Sequence, residues 1–237
     1  MITIATVYKK GGEYDISYVT KLAAGIEAHL KVPHIFICLS DESEKNIGIS
    51  EIPNHYVVPL RHNWPGWWAK MELFSLQGPL LYIDLDTVVT GSIDNLAKWI
   101  LDNPGPLVML RGFYKGDQCS GIMGWNGNIK WIFDQFQMNF GNQAVYEKQK
   151  NGISMIVGNK QYRGDQDWLR ELHRQRHDQV TIVMAQDVMK GIYSYKVDVK
   201  LNGGKLPADA RIVCFHGQPR PADVKPQPEW MKEHWGE

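Results

Sequence analysis

The feature that most constrains this chain is the apolar run at 80–89, which two carboxylates interrupt at Asp84 and Asp86. A run of this kind is typical of a strand at the centre of a parallel sheet, where both faces are covered. Residues i and i+2 of a strand point to the same face, so the spacing predicts that both acids project together. Two buried carboxylates about 7 Å apart repel each other and lose hydration, so a nearby group must offset that cost.

A divalent cation would offset this cost, since hard oxygen ligands suit Mg²⁺ and Mn²⁺. In open parallel sheets, ligands bind beyond the carboxyl ends of the strands, where this pair is expected. The alternative is that one aspartate caps the following turn and the other pairs with a lysine or arginine. We favour the metal, because the flanks of Asp84 and Asp86 are apolar and the position is a strand end.

A third candidate ligand, His216, follows a late apolar strand and precedes Gly217. The glycine would let a ligand approach the backbone closely. One imidazole with two carboxylates suits Mn²⁺ and does not suit a structural zinc site. Arg220 and Lys225 follow and could neutralise phosphate charge. The alternative is a histidine that is satisfied within the core.

The pattern of apolar residues predicts an α/β fold with a mostly parallel central sheet flanked by helices. Strand 2–8, a helix capped by Asp15, and strand 34–39 form a βαβ unit typical of nucleotide-binding proteins. The later elements predicted are strands at 55–60, 80–89, 107–110, 182–184, 195–199 and 211–215, and helices at 67–76, 94–101, after Asn128 and after Asp165. Residues 141–164 are expected to form a loop.

Composition is consistent with one globular domain spanning residues 1–237. We expect a nucleotide-binding half at 1–90, an acceptor half at 91–221 and a C-terminal tail at 222–237. Hydrophobic residues make up 43% of the chain, which allows a full core. Basic and acidic residues number 26 each, so a broad basic field is absent and no nucleic-acid partner is expected.

The cysteines and the N-terminus predict a reduced, cytoplasmic setting. Three cysteines without clustered spacing argue against a disulfide framework. The chain begins directly in strand-like sequence without the pattern of a signal peptide. No apolar run approaches the roughly 20 residues of a membrane span, so no transmembrane segment is expected.

Five motifs in a fixed order carry a family resemblance. They are Lys70 within 68–73, the run 81–86 that ends in Asp84-Leu85-Asp86, Ser120-Gly121-Ile122-Met123, Asp165-Gln166-Asp167, and His216-Gly217. In this order the sequence resembles the GT-A fold glycosyltransferases. It is most similar to the family that includes glycogenin and the bacterial lipopolysaccharide galactosyltransferases. The resemblance covers residues 2–221.

The resemblance implies a metal-dependent hexosyltransferase that moves sugar from a nucleotide-sugar donor, a UDP-sugar by family tendency, to a glycan or another hydroxyl acceptor. It implies that Asp84, Asp86 and His216 hold Mn²⁺ or Mg²⁺. The implied donor-binding residues are Thr6, Val7, Tyr8, Lys70, Asp84, Leu85, Asp86, Gly217 and Arg220. Asp165 and Gln166 match the pair beside the anomeric carbon, and Asp167 is a further catalytic candidate.

Two positions depart from the family pattern. Cys119 stands where the family often has asparagine, and Arg220 lies where a late Lys-Pro-Trp usually follows. We expect a retaining enzyme, in which Asp165 or Gln166 stabilises the oxocarbenium-like sugar. An inverting enzyme would instead need Asp165, Asp167 or Asp117 to deprotonate the acceptor.

Other functions are compatible with parts of the pattern. A sugar-nucleotide nucleotidyltransferase would need a Gly-rich basic loop after the first strand, and 9–12 offers only Lys-Lys-Gly-Gly. A glycoside hydrolase would use paired carboxylates without a metal. A lectin-like protein would bind nucleotide or carbohydrate without turnover. Trp64, Trp67 and Trp68 are either sugar platforms or core residues, and loops 111–118 and 141–164 are candidate lids.

Overall fold

The computed structural model describes residues 1–49, 52–140, 144–149 and 152–236. The strands within them are β1 (Ile2–Tyr8), β2 (His34–Ser40), β3 (His55–Pro59), β4 (Leu80–Ile83), β5 (Thr87–Val89), β6 (Leu107–Arg111), β7 (Gln118–Trp125), β8 (Val145–Gln149), β9 (Gly152–Val157), β10 (Lys160–Tyr162), β11 (Ile182–Met184), β12 (Ile192–Ser194) and β13 (Ile212–Cys214). The helices are α1 (Ser17–His29), α2 (Glu44–Ile47), α3 (Asp94–Asp102), α4 (Lys130–Phe140), α5 (Asp165–Gln175), α6 (Ala185–Val188) and α7 (Glu229–Trp235). Short 3-10 helices span Gly66–Ser75, Lys200–Asn202 and Pro221–Asp223, and Tyr195–Val199 forms a π-helical turn.

The central sheet has seven strands in the order β11-β6-β7-β4-β1-β2-β3 within the described residues. The pairs β1–β2, β1–β4, β2–β3 and β6–β11 are parallel, and β7 runs antiparallel to both of its neighbours. The predicted α/β class with a mostly parallel sheet flanked by helices is therefore confirmed.

Apolar side chains cover both faces of this sheet, which explains why its strands are apolar throughout. On β1, Ile4 and Ala5 are fully buried in two different hydrophobic clusters, one on each face. The cluster around Ile4 includes α1, and the cluster around Ala5 is rich in aromatic rings such as Trp68 and Phe136. The alternation of strand side chains thus places every second residue against each helical layer.

The single strand predicted at 80–89 is wrong. The chain leaves the central sheet after β4, and β5 pairs antiparallel with β13 in a separate three-stranded sheet. Asp84, Leu85 and Asp86 form the turn between the two strands. Leu85 is 1% exposed and packs into the core, so the apolar run records burial rather than one continuous strand. The i, i+2 strand geometry assumed for the two acids does not apply.

Three other predicted elements differ from the structure. Gly66–Ser75 is a 3-10 helix rather than an α-helix, and residues 68–74 are buried all round rather than along one face. Tyr195–Val199 is a helical turn, because the side chain of Ser194 accepts hydrogen bonds from the next backbone N–H groups. In 141–164 the described residues form an antiparallel sheet of β8, β9 and β10 rather than a loop; residues 141–143 and 150–151 lie outside the description.

The C-terminal tail docks on the N-terminal half of the chain. Its last helix, α7, buries Met231, and the Trp235 ring lies 5.1 Å from the Tyr18 ring of α1. Across the part of the chain that the structure describes, every helix is too short or too polar to cross a lipid bilayer.

Candidate active site

The turn that carries the two acids is held from both ends. At its start, the backbone N–H of Asp84 donates to the carbonyl of Gly121, at 2.9 Å. At its end, the carbonyl of Asp86 accepts from the N–H of Phe215, also at 2.9 Å. The turn therefore presents both carboxylates at the carboxyl end of β4, between the central sheet and the sheet of β5, β12 and β13. This is the edge where α/β sheets bind their ligands.

Asp84 is surrounded by hydrogen-bond donors. Its Oδ2 accepts from Lys70 Nζ at 2.8 Å and its Oδ1 accepts from the Tyr82 hydroxyl at 2.6 Å. Gly121 flanks it, and a Cβ added there would lie 3.9 Å from Asp84 Oδ2. Burial opposes the charged form of Lys70, but the carboxylates of Asp84 and Asp165 outweigh it and raise its pKa. The ammonium group therefore stays charged inside the protein.

Asp86 pairs with the guanidinium of Arg220. Arg220 also reaches Glu13, donates to the Tyr14 hydroxyl at 2.7 Å, and stacks over the Tyr14 ring at 4.7 Å. Burial, followed by the neighbouring Asp84 carboxylate, raises the pKa of Asp86 to about 6, although Arg220 opposes the shift. Burial and the Asp84 carboxylate together therefore outweigh the stabilisation that Arg220 gives to the ionised Asp86.

Asp165 lies on the other side of Lys70, at the first residue of α5. Its side chain is 3% exposed, and burial raises its pKa while Lys70 lowers it. Ser120 lies beside it without making a well-formed hydrogen bond, so Asp165 Oδ2 and Ser120 Oγ are both buried without a partner. Trp67 Nε1, next to Gly164, is a third buried polar atom in this state. Together these atoms are a carboxylate acceptor, a hydroxyl that can donate or accept, and an indole donor, each without a hydrogen-bond partner in the protein.

The other two predicted catalytic residues are tied to Arg170. Gln166 Oε1 accepts from Arg170 Nη2, and Asp167 Oδ1 accepts from Nη1, each at 3.3 Å. The alternative base Asp117 also pairs with this guanidinium, at 3.0 Å. The structure therefore brings Asp165 to the Lys70–Asp84 pair, whereas Gln166 and Asp167 belong to a neighbouring network on α5.

His216 lies at the end of β13, one residue beyond the backbone contact with Asp86. Its Nε2 is 2.6 Å from Ser194 Oγ, and the Phe113 ring stacks on it at 5.1 Å. Burial, followed by the ammonium of Lys196, lowers the pKa of His216 to about 4. The imidazole is therefore neutral at physiological pH, as a metal ligand must be.

The predicted metal ligands fit a divalent cation by chemistry, although each now has another partner. Two carboxylates and a neutral imidazole form a donor set suited to Mn²⁺. Asp84 is engaged by Lys70, Asp86 by Arg220, and His216 by Ser194. Among the described residues no three His, Cys, Asp or Glu side chains are grouped closely enough to hold a metal. Binding would require Arg220 and Ser194 to release their partners.

The remaining donor-binding candidates differ in how far they are buried. The Thr6 hydroxyl donates to the Ile83 carbonyl at 3.0 Å and is fully buried. Tyr8 is also buried, at the end of β1, whereas Val7 is half-buried. Gly217 is exposed beside the site in a left-handed conformation, with φ +82°. Trp64 and Trp68 are core residues rather than sugar platforms, being 3% and 0% exposed.

Several residues of the candidate site were not predicted from the sequence. Tyr14, Tyr82, Ser194 and Lys196 contact or face the predicted residues from distant parts of the chain. Tyr82 lies within the 81–86 motif, two residues before Asp84, so a contact between the two side chains was predictable from the sequence. The others reach the site only through tertiary packing.

The chain is similar to known proteins in structure but not in sequence. The sequence matches no protein-family model and no curated protein. In structure, the chain is similar to the glycosyltransferase GlyE of Streptococcus pneumoniae TIGR4, with a TM-score of 0.62 and 15% identity over 96% of this chain. It is also similar to the galactosyltransferase LgtC in complex with donor and acceptor sugar analogues, with a TM-score of 0.56 and 14% identity over 98% of this chain.

The chain has the GT-A fold. An active-site mutant of LgtC gives the same similarity, with a TM-score of 0.58 and 15% identity. The chain spans 99% of the LgtC structure solved with sugar analogues but only 58% of the GlyE structure. At 14–15% identity the similarity establishes the GT-A fold and not the reaction.

We expect His216 to titrate near pH 4 in the folded chain, against an ordinary value of 6.5. Between these values the unfolded chain binds a proton that the folded chain does not. The contribution of His216 to stability therefore increases as the pH rises from about 4 to about 6.5, and is level above that range. NMR titration of the imidazole and denaturant unfolding of wild type and His216→Asn would measure both effects. Titration near 6.5 would contradict the buried, neutral imidazole.

Proposed function

We propose that this chain is a metal-dependent glycosyltransferase that transfers a hexose from a nucleotide-sugar donor, a UDP-sugar by preference, to a hydroxyl acceptor. The observation that carries the proposal is the turn of Asp84 and Asp86, where two buried carboxylates lie between Lys70 and Arg220 at the ligand-binding edge of a GT-A sheet. LgtC, which shares the fold, was solved with donor and acceptor sugar analogues.

Departure of a nucleoside diphosphate is the main electrostatic problem of glycosyl transfer. A Mn²⁺ or Mg²⁺ ion held by Asp84, Asp86 and His216 would supply positive charge opposite the diphosphate. Lys70 is already held charged in the buried site, and Arg220 carries a planar fork that suits phosphate oxygens. Fixed charges of this kind need no reorganisation when negative charge develops on the leaving group.

The sugar would lie beside the first turn of α5. The unpartnered atoms Asp165 Oδ2, Ser120 Oγ and Trp67 Nε1 provide an acceptor, a hydroxyl that can donate or accept, and a donor for sugar hydroxyls. Gln166 follows Asp165 and is our second candidate beside the anomeric carbon, which favours a retaining reaction. LgtC has an active-site glutamine that was changed to glutamate in one of its structures, which supports a glutamine in this role.

The acceptor would bind along α5. A cleft of about 570 Å³ lies along α5, lined in part by Gln118, Arg170, His173 and Arg174. Arg170 joins this cleft to Gln166 through its hydrogen bond. The loop before β7 contacts both regions. Its residues Gly116 and Asp117 line this cleft, and its residue Phe113 stacks on His216. We propose that the cleft holds the acceptor, within the predicted acceptor half at 91–221.

A nucleotidyltransferase and a lectin-like binding protein remain the competing functions. Lys9 pairs with Asp41, and Lys10 pairs with Glu42. The basic residues after β1 are therefore committed to acids rather than available to phosphates, which disfavours the nucleotidyltransferase. Turnover of a sugar donor separates a transferase from a lectin-like protein.

A thermal-shift panel of nucleoside diphosphates, with and without Mn²⁺, tests the proposal. A ligand at 100 times its dissociation constant stabilises the folded state by about 2.7 kcal/mol. For a chain of this size that corresponds to a rise in Tm of roughly 5–11 °C. We expect the largest rise with UDP and Mn²⁺ together. If no diphosphate raises Tm in either condition, the chain is not a nucleotide-sugar enzyme. Diphosphate binding without donor hydrolysis or transfer would favour the lectin-like protein.

A further inference from the structure

Lys196 is a half-buried cation at the edge of the proposed donor site. Its backbone N–H donates to Ser194 Oγ at 3.1 Å, which fixes the start of the π-helical turn. Its side chain lies against Gly217, where an added Cβ would come within 3.2 Å of Lys196 Nζ. The absence of a side chain at Gly217 therefore leaves room for the ammonium group beside His216 and Arg220.

Among the residues that the structure describes, no carboxylate pairs with the ammonium group of Lys196. Across the described parts of the chain, Nζ makes no hydrogen bond or ion pair, in contrast to Lys70 with Asp84 and Arg220 with Asp86. Burial, followed by repulsion from Arg220, lowers the pKa of Lys196, and attraction to Asp86 only partly compensates. A partly desolvated cation facing a second cation is stabilised by an anion that contacts both.

We infer that Lys196 binds the diphosphate of the nucleotide donor together with Arg220. This inference rests on the proposed function and extends it to a residue outside the family motifs. A diphosphate carries several acceptor oxygens, which match a three-donor ammonium and a guanidinium fork that lie close enough to repel each other. Lys196 would also add positive charge that no acid of the described residues already neutralises. Lys70 and Arg220, in contrast, are paired with Asp84 and Asp86.

The test compares ligands with and without phosphate. Wild type, Lys196→Gln and the matched control Lys200→Gln are titrated with UDP and with uridine by calorimetry. Lys200 is exposed, lies one helical turn further along, and has the same charge. We expect Lys196→Gln to bind UDP roughly 10- to 100-fold more weakly, as for loss of a charge-assisted hydrogen bond, with uridine affinity unchanged. Lys200→Gln should change UDP affinity at most about twofold, as for an exposed charge.

Two outcomes would overturn the inference and leave the proposed function intact. One is wild-type UDP affinity in Lys196→Gln, and the other is an equal loss of UDP and uridine affinity. If wild type binds no nucleoside diphosphate, the proposed function fails together with the inference.

A measurement on wild type covers the case in which Lys196→Gln does not fold. Acetic anhydride labels accessible amines, and mass spectrometry reads the extent of labelling at each lysine. We expect UDP, and pyrophosphate at higher concentration, to slow acetylation of Lys196 but not of Lys200. Equal labelling of Lys196 with and without saturating UDP would exclude contact between its ammonium group and the diphosphate.

Discussion

Replacing Asp86 by asparagine is expected to lower kcat/KM about 10²- to 10³-fold, the effect typical of losing one preorganised electrostatic contact in an active site. Asp86 is 5% exposed, holds Arg220, and is a proposed metal ligand. The variant should also lose the Mn²⁺-dependent part of UDP stabilisation in a thermal-shift assay. Steady-state kinetics with a UDP-sugar donor measure the first effect.

The fold should survive this change, which makes the loss interpretable. Arg220 keeps Glu13 and Tyr14 as partners, so its guanidinium is not left isolated. A matched control, Asp102→Asn, removes an exposed carboxylate from the end of α3 and should leave activity and metal response unchanged. If Asp86→Asn retains activity within about tenfold of wild type, Asp86 is not part of the chemical site.

Replacing Lys70 by methionine is expected to lower the free energy of unfolding by about 3–5 kcal/mol at neutral pH, because it leaves buried charges without their partner. Lys70 is 8% exposed and lies between Asp84 and Asp165. Without this ammonium group, the buried Asp165 carboxylate loses the cation that lowers its pKa and becomes harder to ionise in the folded chain. The deficit should shrink as the pH falls, because protonation removes the unpaired charges.

Denaturant unfolding at pH 5 and pH 8 would measure this dependence. Lys98→Met removes an exposed lysine of α3 and provides the control, for which we expect little change at either pH. Loss of donor binding should accompany the instability, since the same ammonium group is a proposed phosphate contact. A Lys70→Met variant as stable as wild type at pH 8 would show that the buried carboxylates have other sources of compensation.

For Asp84 and Asp86 the sequence left two possibilities, a divalent cation or pairing with a basic residue. Each carboxylate pairs with a basic residue, Lys70 or Arg220, whereas the alternative to a metal had only one acid in an ion pair and the other capping the turn. The basic residues are nevertheless those that the resemblance implies for donor binding. We therefore interpret the ion pairs as contacts that a diphosphate and its cation would exchange on binding. The raised pKa of Asp86 is consistent with this, because burial makes its ionised form costly even beside Arg220.

Members of the candidate site could be predicted from the sequence where a short segment carries several of them. Asp84 and Asp86 sit on one turn, Asp165 begins α5, and His216 ends an apolar strand, so each was visible as a polar residue beside an apolar run. Their mutual distances were not predictable. Gln166 follows Asp165 in sequence yet turns to Arg170, because successive helical residues face different directions.

The errors in the predicted fold share one cause. Apolar sequence reports burial, and burial on all sides is compatible with a strand, a turn or a 3-10 helix. Leu85 is as deeply buried in a turn as Ile83 is in a strand, so the run at 80–89 looked continuous. The sheet of β8, β9 and β10 was missed although Gly158 begins a two-residue hairpin turn, a signal that the polar sequence around it obscured.

The sequence by itself determined the opening βαβ unit, most strands of the apolar central sheet, and the acids at its edge, because these depend on local patterns and on burial. Only the tertiary structure decided which cation pairs with which acid, that His216 contacts Ser194, and that Lys196 pairs with no carboxylate of the described residues. Those contacts join residues that are as many as 134 positions apart, as in Asp86 and Arg220. No local pattern encodes them, because packing of the two sheets and the tail fixes which side chains meet.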